Sequence, residues 1–163
     1  MLLEEIKQKA NNISDTVISY RRHLHAHPEL SFKEFETSAF IKAKLDEMGI
    51  AWQPIAGTGV IAFIKGELPS DKVIALRADM DALPITEANK AAYISKNKGI
   101  MHACGHDVHT SSLLGTAQIL QSLRSHFGGT IKLLFQPGEE ILPGGAGMMI
   151  KEGAPVLDRK SVV

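Results

Sequence analysis

The stretch TIKLLFQPGEE, residues 130–140, decides the fold class of this 163-residue chain. Its first six residues form a short run that is mainly apolar and β-branched, which is the pattern of a buried strand. The polar residues Glu139 and Glu140 follow soon after, behind Pro137 and Gly138. A buried strand that ends in a polar loop is typical of α/β sheets, which place their functional sites just beyond the strand ends.

Two further apolar runs of strand length lie upstream, at residues 59–64 (GVIAFI) and 73–76 (VIAL). Apolar residues spaced three and four apart predict helices over residues 3–24, 33–48 and 108–123, with Asp107 as the N-cap of the third. A final short helix is predicted after residue 140. The order helix, helix, strand, strand, helix, strand, helix predicts an α/β sheet covered on both faces.

Composition describes an ordinary globular chain with room for one domain. Apolar residues make up 44% and charged residues 22%, and 18 basic residues balance 18 acidic ones. A net charge of zero gives no electrostatic reason to expect nucleic acid or a membrane as partner. No apolar run approaches the roughly 20 residues of a membrane span. Glu4 and Glu5 lie near the N-terminus, where a signal peptide would carry basic residues, so we expect a cytoplasmic protein. With Cys104 as the only cysteine, no intrachain disulfide is possible.

A second polar cluster, MHACGHDVH at residues 101–109, precedes the third predicted helix. Cys104 and His106 are two residues apart, so both side chains would leave an extended segment on the same side. Thiolate and imidazole together bind Zn²⁺ and similar ions, and Gly105 would let the backbone bend towards the ion. Two other interpretations stay open, namely a buried cysteine beside helix-capping histidines and a Cys–His nucleophile pair.

Pairs of carboxylates follow two of the predicted strands. If Glu139 and Glu140 are extended, they point to opposite sides, so one could ligate a metal while the other acts as general base. A solvated acidic loop is the alternative. Asp79 and Asp81 follow the strand at residues 73–76, and a carboxylate in such a place often orients a metal-ligating imidazole. A turn before Pro84 is the alternative there.

Four histidines lie outside these clusters, namely His23, His25, His27 and His126. His23 and His27 are one helical turn apart, a spacing that metal ligands also use. No predicted strand end brings the four near the polar clusters, so we interpret them as structural or surface groups.

Together the clusters resemble those of the amidohydrolase branch of the aminoacylase/carboxypeptidase metallopeptidase family, which includes hippurate hydrolase, N-acetyl-diaminopimelate deacetylase and the auxin-conjugate hydrolases. The resemblance rests on RRHLHAHPEL (21–30), RADMDALP (77–84), MHACGHDVH (101–109) and LLFQPGEE (133–140), in this order and spacing. It implies an α/β fold in which residues 1–157 form the N-terminal part of a zinc-peptidase-like catalytic domain, a mixed sheet flanked by helices on both faces.

The resemblance also implies a function, a hydrolase that cleaves the amide bond of N-acyl amino acids with two divalent ions, drawn from Zn, Mn, Co and Ni. By position, Cys104, His106 and Glu140 would be metal ligands. Glu139 would be the base that activates water, and Asp81 would hold a ligand or maintain the polarity of the active site. The substrate would be a small molecule, with no nucleic acid or membrane involved, and the parent protein would be a homodimer.

Members of that family are more than twice as long as this chain. The resemblance implies a further metal-ligating histidine downstream, another near the C-terminus and a dimerisation domain, so we expect the 163 residues alone to have little or no activity. A non-catalytic metal-binding or interaction module is the main alternative, and a dipeptidase or a cysteine hydrolase are lesser ones. Gly138 departs from the alanine that the family more often has, without removing a catalytic group.

The last six residues, DRKSVV at 158–163, do not resemble the family. They are what GATCGGAAGAGCGTCGTG encodes, a stretch of a widely used sequencing adapter. Our hypothesis is that residues 158–163 are an adapter-derived tail that belongs outside any argument about the fold. Different codons at this position in the source gene would contradict it.

Overall fold

A computed structural model describes residues 2–154. The elements are α1 (Leu2–Asn12), α2 (Ser14–Ala26), α3 (Phe35–Glu47), β1 (Ala51–Ile55), β2 (Gly59–Lys65), β3 (Leu68–Asp79), α4 (His106–Ser122), β4 (Gly128–Gln136) and α5 (Gly145–Lys151), with a 3₁₀ turn at Arg124–His126. Within these residues, the helices all fall short of the length and apolar character needed to cross a bilayer.

The four strands form one mixed sheet in the order β1-β2-β4-β3. β2 pairs antiparallel with both β1 and β4, whereas β3 pairs parallel with β4. The parallel pair needs a crossover, and α4 supplies it between β3 and β4. The predicted mixed α/β fold is therefore confirmed.

Helices cover both faces of this sheet, as predicted. Alternate residues of β2 point to opposite faces because the side chains of a strand have a period of two. On one face Ile61 packs in a small cluster with Met149 of α5. The other face carries the main core, which joins the sheet to α3 and α4 through Val60, Ala62, Ile64, Leu133, Phe135, Ile41, Leu45, Leu114 and Ala117.

The N-terminal helix differs from the single helix predicted over residues 3–24. Ile13, at φ −102° and ψ 4°, separates α1 from α2. The backbone N–H of Ile13 still donates to the Lys9 carbonyl (3.2 Å), and the N–H of Val17 donates to the Ile13 carbonyl (3.0 Å). Helical hydrogen bonds thus continue across the break, which explains why the apolar spacing does not mark it.

The strands also differ in part from the prediction. β1 is a strand that the sequence analysis does not predict, and it contains Pro54, which has no N–H to donate. The structure places β1 at an edge of the sheet, where a proline is tolerated. β3 is longer than the predicted run at residues 73–76, and its pairing register shifts between Leu68 and Val73.

The parallel pairing of β3 and β4 brings the polar clusters together. Asp79 at the end of β3 lies opposite Gln136 at the end of β4, and the Met80 N–H donates to the Gln136 carbonyl at 3.0 Å. The loops after both strands therefore leave the sheet at the same edge. The first turn of α4, which begins at His106, lies at this edge too, because Thr110 Oγ1 donates to the Asp79 carbonyl at 3.0 Å.

Candidate metal centre

His106 is the centre of the candidate site, and its side chain is only 2% exposed. Its Nδ1 lies 2.8 Å from the backbone carbonyl of Asp81 and 3.2 Å from Asp81 Oδ1. Both neighbours are acceptors, so Nδ1 carries the proton. The other nitrogen, Nε2, faces the loop after β4, at 3.9 Å from both Glu139 Oε2 and Glu140 Oε1. The ring is thereby held with its free nitrogen towards two carboxylates.

Asp81 connects this histidine to the loop after β4. Its Oδ2 accepts hydrogen bonds from Ser31 Oγ (2.6 Å) and from the Glu140 N–H (3.0 Å). Burial opposes ionisation of Asp81, but hydrogen bonds from His106, Ser31 and the backbone of Glu140 and Glu139 hold its pKa well below the usual range. Burial also opposes the charged form of His106 and so acts to lower its pKa. The hydrogen bonds to Asp81 and the negative charge there outweigh burial and raise the pKa of His106 to about 9.

The structure brings together the three predicted metal ligands. Cys104, His106 and Glu140 each offer one donor atom, and these atoms all lie within 4.8 Å of one another. Sulfur, imidazole nitrogen and carboxylate oxygen are the donors that Zn²⁺ uses in proteins. Glu140 Oε1 is buried and has no hydrogen-bond partner among residues 2–154. A bound cation would remove the cost of that unsatisfied oxygen, so the residues fit a divalent metal ion.

The two glutamates differ from the expectation that they point to opposite sides. They lie in a bend rather than in an extended segment, and both carboxylates approach His106 Nε2. Their exposure distinguishes them instead, since the side chain of Glu139 is 42% exposed and that of Glu140 is 20% exposed. Glu139 is therefore the carboxylate that solvent and a substrate can reach.

Cys104 is exposed, so the interpretation of a buried cysteine is wrong. It also does not share an extended segment with His106, because Gly105 adopts φ +89° and α4 begins at His106. The adjacent Glu140 carboxylate, followed by slight burial and the charges of Glu139 and Asp79, raises the pKa of the Cys104 thiol. A thiol with a raised pKa is a poor nucleophile, which disfavours a cysteine hydrolase.

A second set of donors overlaps the first. Asp79, His106 and His109 also place one donor atom each within 4.8 Å of one another. Asp79 is buried, and its Oδ2 lies 4.0 Å from Nδ1 of the exposed His109. Because both sets include His106, the donors form one continuous group at the edge of the sheet.

The segment between α2 and α3 holds the loop that carries the two glutamates. Glu34 is fully buried, and its Oε1 accepts a hydrogen bond from the Gly138 N–H at 2.8 Å. Its Oε2 accepts from Thr58 Oγ1 at 2.5 Å. Ser31 bonds to Asp81 from the same segment. Sequence reasoning assigned no role to Ser31 or Glu34, because no local pattern indicates a partner so distant along the chain.

The sequence pattern predicted Asp107 as the N-cap of α4, and this prediction is wrong. Gly105 holds that position, and Asp107 lies inside the first turn. Its Oδ2 accepts a hydrogen bond from Arg21 Nε at 2.8 Å and lies 2.8 Å from His25 Nδ1. His25, interpreted as a structural or surface group, is buried. The expectation that it lies away from the polar clusters is wrong, because it joins α2 to Asp107 in the first turn of α4.

The other three histidines lie away from the candidate site. His23 stacks on Phe40 with ring centroids 4.5 Å apart, and His27 Nδ1 lies 2.8 Å from the backbone carbonyl of His23. His126 Nε2 lies 3.8 Å from Glu5 Oε2. All three agree with the interpretation as structural or surface groups.

A mixed α/β sheet with thiol, imidazole and carboxylate donors at its strand ends is the arrangement expected of a metal-dependent hydrolase domain. Residues 75–162 match the sequence profile of Peptidase family M20/M25/M40. This match covers more than half of the chain, and the chain belongs to that family. The predicted family resemblance is thereby confirmed.

Individual relatives agree with this assignment. The chain is 49% identical over 164 residues to the N-acyl-L-amino acid amidohydrolase of Geobacillus stearothermophilus, a match that covers 100% of this chain and 44% of the relative. It is 51% identical over 154 residues to the N-acetyl-L-cysteine deacetylase of Bacillus subtilis, covering 91% of this chain and 36% of the relative.

Among solved structures, the chain is similar to the YXEP protein of Bacillus subtilis, a dinuclear metal-binding peptidase from the M20 family. The TM-score is 0.83 and the identity 46%, over 88% of this chain and 40% of the other. This chain thus spans less than half the length of these relatives. Residues 158–163 lie outside the described residues, so the adapter hypothesis stays a hypothesis.

Proposed function

We propose that this chain carries the metal ligands and the catalytic base of a metal-dependent amidohydrolase that cleaves N-acyl amino acids. The observation that carries the proposal is the convergence of the Cys104, His106 and Glu140 donor atoms within 4.8 Å of one another, beside the exposed Glu139. The substrate class is supported by the two relatives, an N-acyl-L-amino acid amidohydrolase and an N-acetyl-L-cysteine deacetylase.

In the proposed mechanism, Cys104, His106 and Glu140 would hold the metal ion. When bound, the ion would polarise the amide carbonyl and lower the pKa of an attacking water. Glu139 accepts the proton of that water, since its carboxylate is exposed and lies on the same side of His106 as Glu140. Asp81 orients His106 through Nδ1 and also holds the Glu140 N–H, so it positions two ligands at once.

We also propose that two ions bind. The dinuclear YXEP protein supports this number, and the second set of donors, Asp79 and His109 around His106, offers further ligand atoms at the same edge. The choice among Zn, Mn, Co and Ni depends on relative affinity and cellular supply. The homodimer and the cytoplasmic location stay predictions.

The test uses the whole protein that the source gene encodes, which includes these residues. Hydrolysis of N-acetyl and N-benzoyl amino acids is measured after chelation and after each of the four metals is restored. We expect turnover to depend on metal, and Glu139→Gln to lower it by about 10²-fold or more while metal affinity stays unchanged. Glu67→Gln, at an exposed carboxylate next to β3, is the matched control and should retain full turnover.

Three results would contradict parts of this proposal. Turnover of Glu139→Gln at the wild-type rate would refute the assignment of the base. Metal binding without turnover of any N-acyl amino acid would favour a non-catalytic metal-binding module. Turnover that survives chelation and is lost on thiol alkylation would indicate a cysteine hydrolase.

A further inference from the structure

A buried polar network lies behind the candidate metal centre, on the side of α4 that faces α2. His25 of α2 is at its middle, with Nδ1 at 2.8 Å from Asp107 Oδ2 and Nε2 at 3.0 Å from Glu87 Oε1. Arg21, one helical turn earlier, donates from Nε to the same Asp107 oxygen at 2.8 Å. The side chains of His25, Asp107 and Glu87 are each at most 5% exposed.

The hydrogen bonds of His25 define its place in the network. Carboxylate oxygens only accept, so Nε2 donates its proton to Glu87. Nδ1 lies 2.8 Å from Asp107 Oδ2 and 3.4 Å from Arg21 Nη2, and in the shorter contact Nδ1–H donates to the carboxylate. The Ser95 N–H adds a hydrogen bond of 2.6 Å to Glu87 Oε2. Each carboxylate therefore has more than one donor, although both bonds to Asp107 go to Oδ2 and its buried Oδ1 has none among residues 2–154.

This network has a direct connection to the proposed ligands. Asp107 is the residue after His106, and both lie in the first turn of α4. Cys104 precedes that turn by two residues, across Gly105. Whatever holds Asp107 therefore holds the backbone from which His106 and Cys104 project. The bonds to Asp107 Oδ2 come from α2 alone, through Arg21 and His25.

We propose that His25 is a positioning residue for the metal centre. By donating Nδ1–H to Asp107, it fixes the first turn of α4 so that His106 and Cys104 face Glu140. The inference rests on the proposed function, because it assumes that these three residues bind a metal. Buried ion clusters contribute little net stability compared with apolar packing, whereas fixing one geometry is their best-attested use.

The test compares two substitutions that each keep one half of the imidazole's hydrogen bonding. In His25→Asn the amide N–H₂ lies near the former Nδ1 and can still donate to Asp107. In His25→Gln the longer side chain places its amide near the former Nε2, so it can donate to Glu87 but not to Asp107. Both variants carry a neutral amide, so the pair differs in which carboxylate keeps its bond, Asp107 in His25→Asn and Glu87 in His25→Gln.

The readout is Co²⁺ bound to the full 163-residue chain. The dissociation constant is measured by competition with a chelator. The thiolate-to-cobalt charge-transfer band reports whether Cys104 is a ligand, and circular dichroism melting reports stability. We expect His25→Asn to bind Co²⁺ within about threefold of wild type. His25→Gln should bind about 10- to 100-fold more weakly and lose intensity in the charge-transfer band, as outer-shell substitutions typically do.

The other possible outcomes each count against the proposal. Wild-type affinity and spectrum in His25→Gln, or equal weakening in both variants, would overturn the role of His25. Absence of Co²⁺ binding in the wild type, or binding that Cys104→Ser does not weaken, would refute the proposed function and this inference with it. If His25→Gln is unfolded at the assay temperature, binding is measured at a lower temperature at which circular dichroism shows it folded, and His25→Ala, which also removes the His25 donor to Asp107 Oδ2, is measured beside it. Wild-type binding by either variant would equally overturn the proposal.

Discussion

Asp81→Asn is the substitution that most sharply tests how the site is held together. The carboxylate of Asp81 accepts from Ser31 Oγ (2.6 Å) and the Glu140 N–H (3.0 Å), and it lies 3.2 Å from His106 Nδ1. Asparagine has nearly the same shape, but its N–H₂ group donates where the carboxylate only accepts. The change therefore alters hydrogen bonding and charge while leaving the packing of the site almost unchanged.

The expected magnitude follows from counting these bonds. In one amide orientation the N–H₂ group replaces the oxygen that accepts from the Glu140 N–H. In the other it replaces the oxygen 3.2 Å from His106 Nδ1, so the ion pair is lost and two donors face each other. A hydrogen bond to a charged group contributes about 1.5–3 kcal/mol. We expect the free energy of unfolding to fall by about 2 kcal/mol. With a urea m-value of about 2 kcal/mol/M, the unfolding midpoint should fall by about 1 M.

The assay is urea unfolding followed by circular dichroism at pH 7, with a chelator present so that metal binding does not contribute. Asp71→Asn, at an exposed aspartate of β3, is the matched control, and its stability should stay within about 0.5 kcal/mol of wild type. If Asp81→Asn also stays within that margin, the bonds to His106 and Glu140 do not hold the site, and the reasoning is refuted.

Two further predictions concern the support of the site. A Cβ at Gly145 would lie 1.7 Å from the Pro137 carbonyl oxygen, so Gly145→Ala should lower the unfolding free energy by at least about 2 kcal/mol. The control is Gly147→Ala, whose Cβ meets nothing within 4 Å and which should be neutral or stabilising by up to about 1 kcal/mol. Equal effects of the two substitutions in urea unfolding would contradict this prediction. Burial opposes ionisation of Glu87, but hydrogen bonds, above all from the Ser95 N–H, lower its pKa to about 2 from the ordinary 4.5. Its ionised form thus stabilises the fold above pH 4.5, and this contribution is lost as the pH falls towards 2. The stability difference between wild type and Glu87→Gln should shrink over that range, and a difference independent of pH would contradict the role given to Glu87.

Much of the fold could be predicted from the sequence because the elements carry strong local patterns. The apolar residues of β2, β4 and α4 that the spacing identified lie mostly in the core or against it, whereas Val73 and Ile74 of β3 and Phe35 of α3 are exposed. The proximity of the polar clusters followed from their positions at strand ends. β1 could not be predicted, since Pro54 argues against a strand unless that strand is known to lie at an edge.

The support of the site could not be predicted for a different physical reason. Glu34 bonds to Gly138 across 104 positions, and His25 bonds to Asp107 across 82. A pattern within one segment carries no information about partners so distant along the chain. The types and spacing of Cys104 and His106 were informative by contrast, although the backbone between them bends instead of being extended.

The most direct test of the central claim is a crystal structure of the chain grown with Co²⁺, with data collected at the cobalt absorption edge. The account predicts an anomalous peak at about 2.0–2.3 Å from Cys104 Sγ, a ring nitrogen of His106 and a carboxylate oxygen of Glu140. An anomalous map without a peak between these three side chains, or with cobalt bound only elsewhere on the surface, would contradict it.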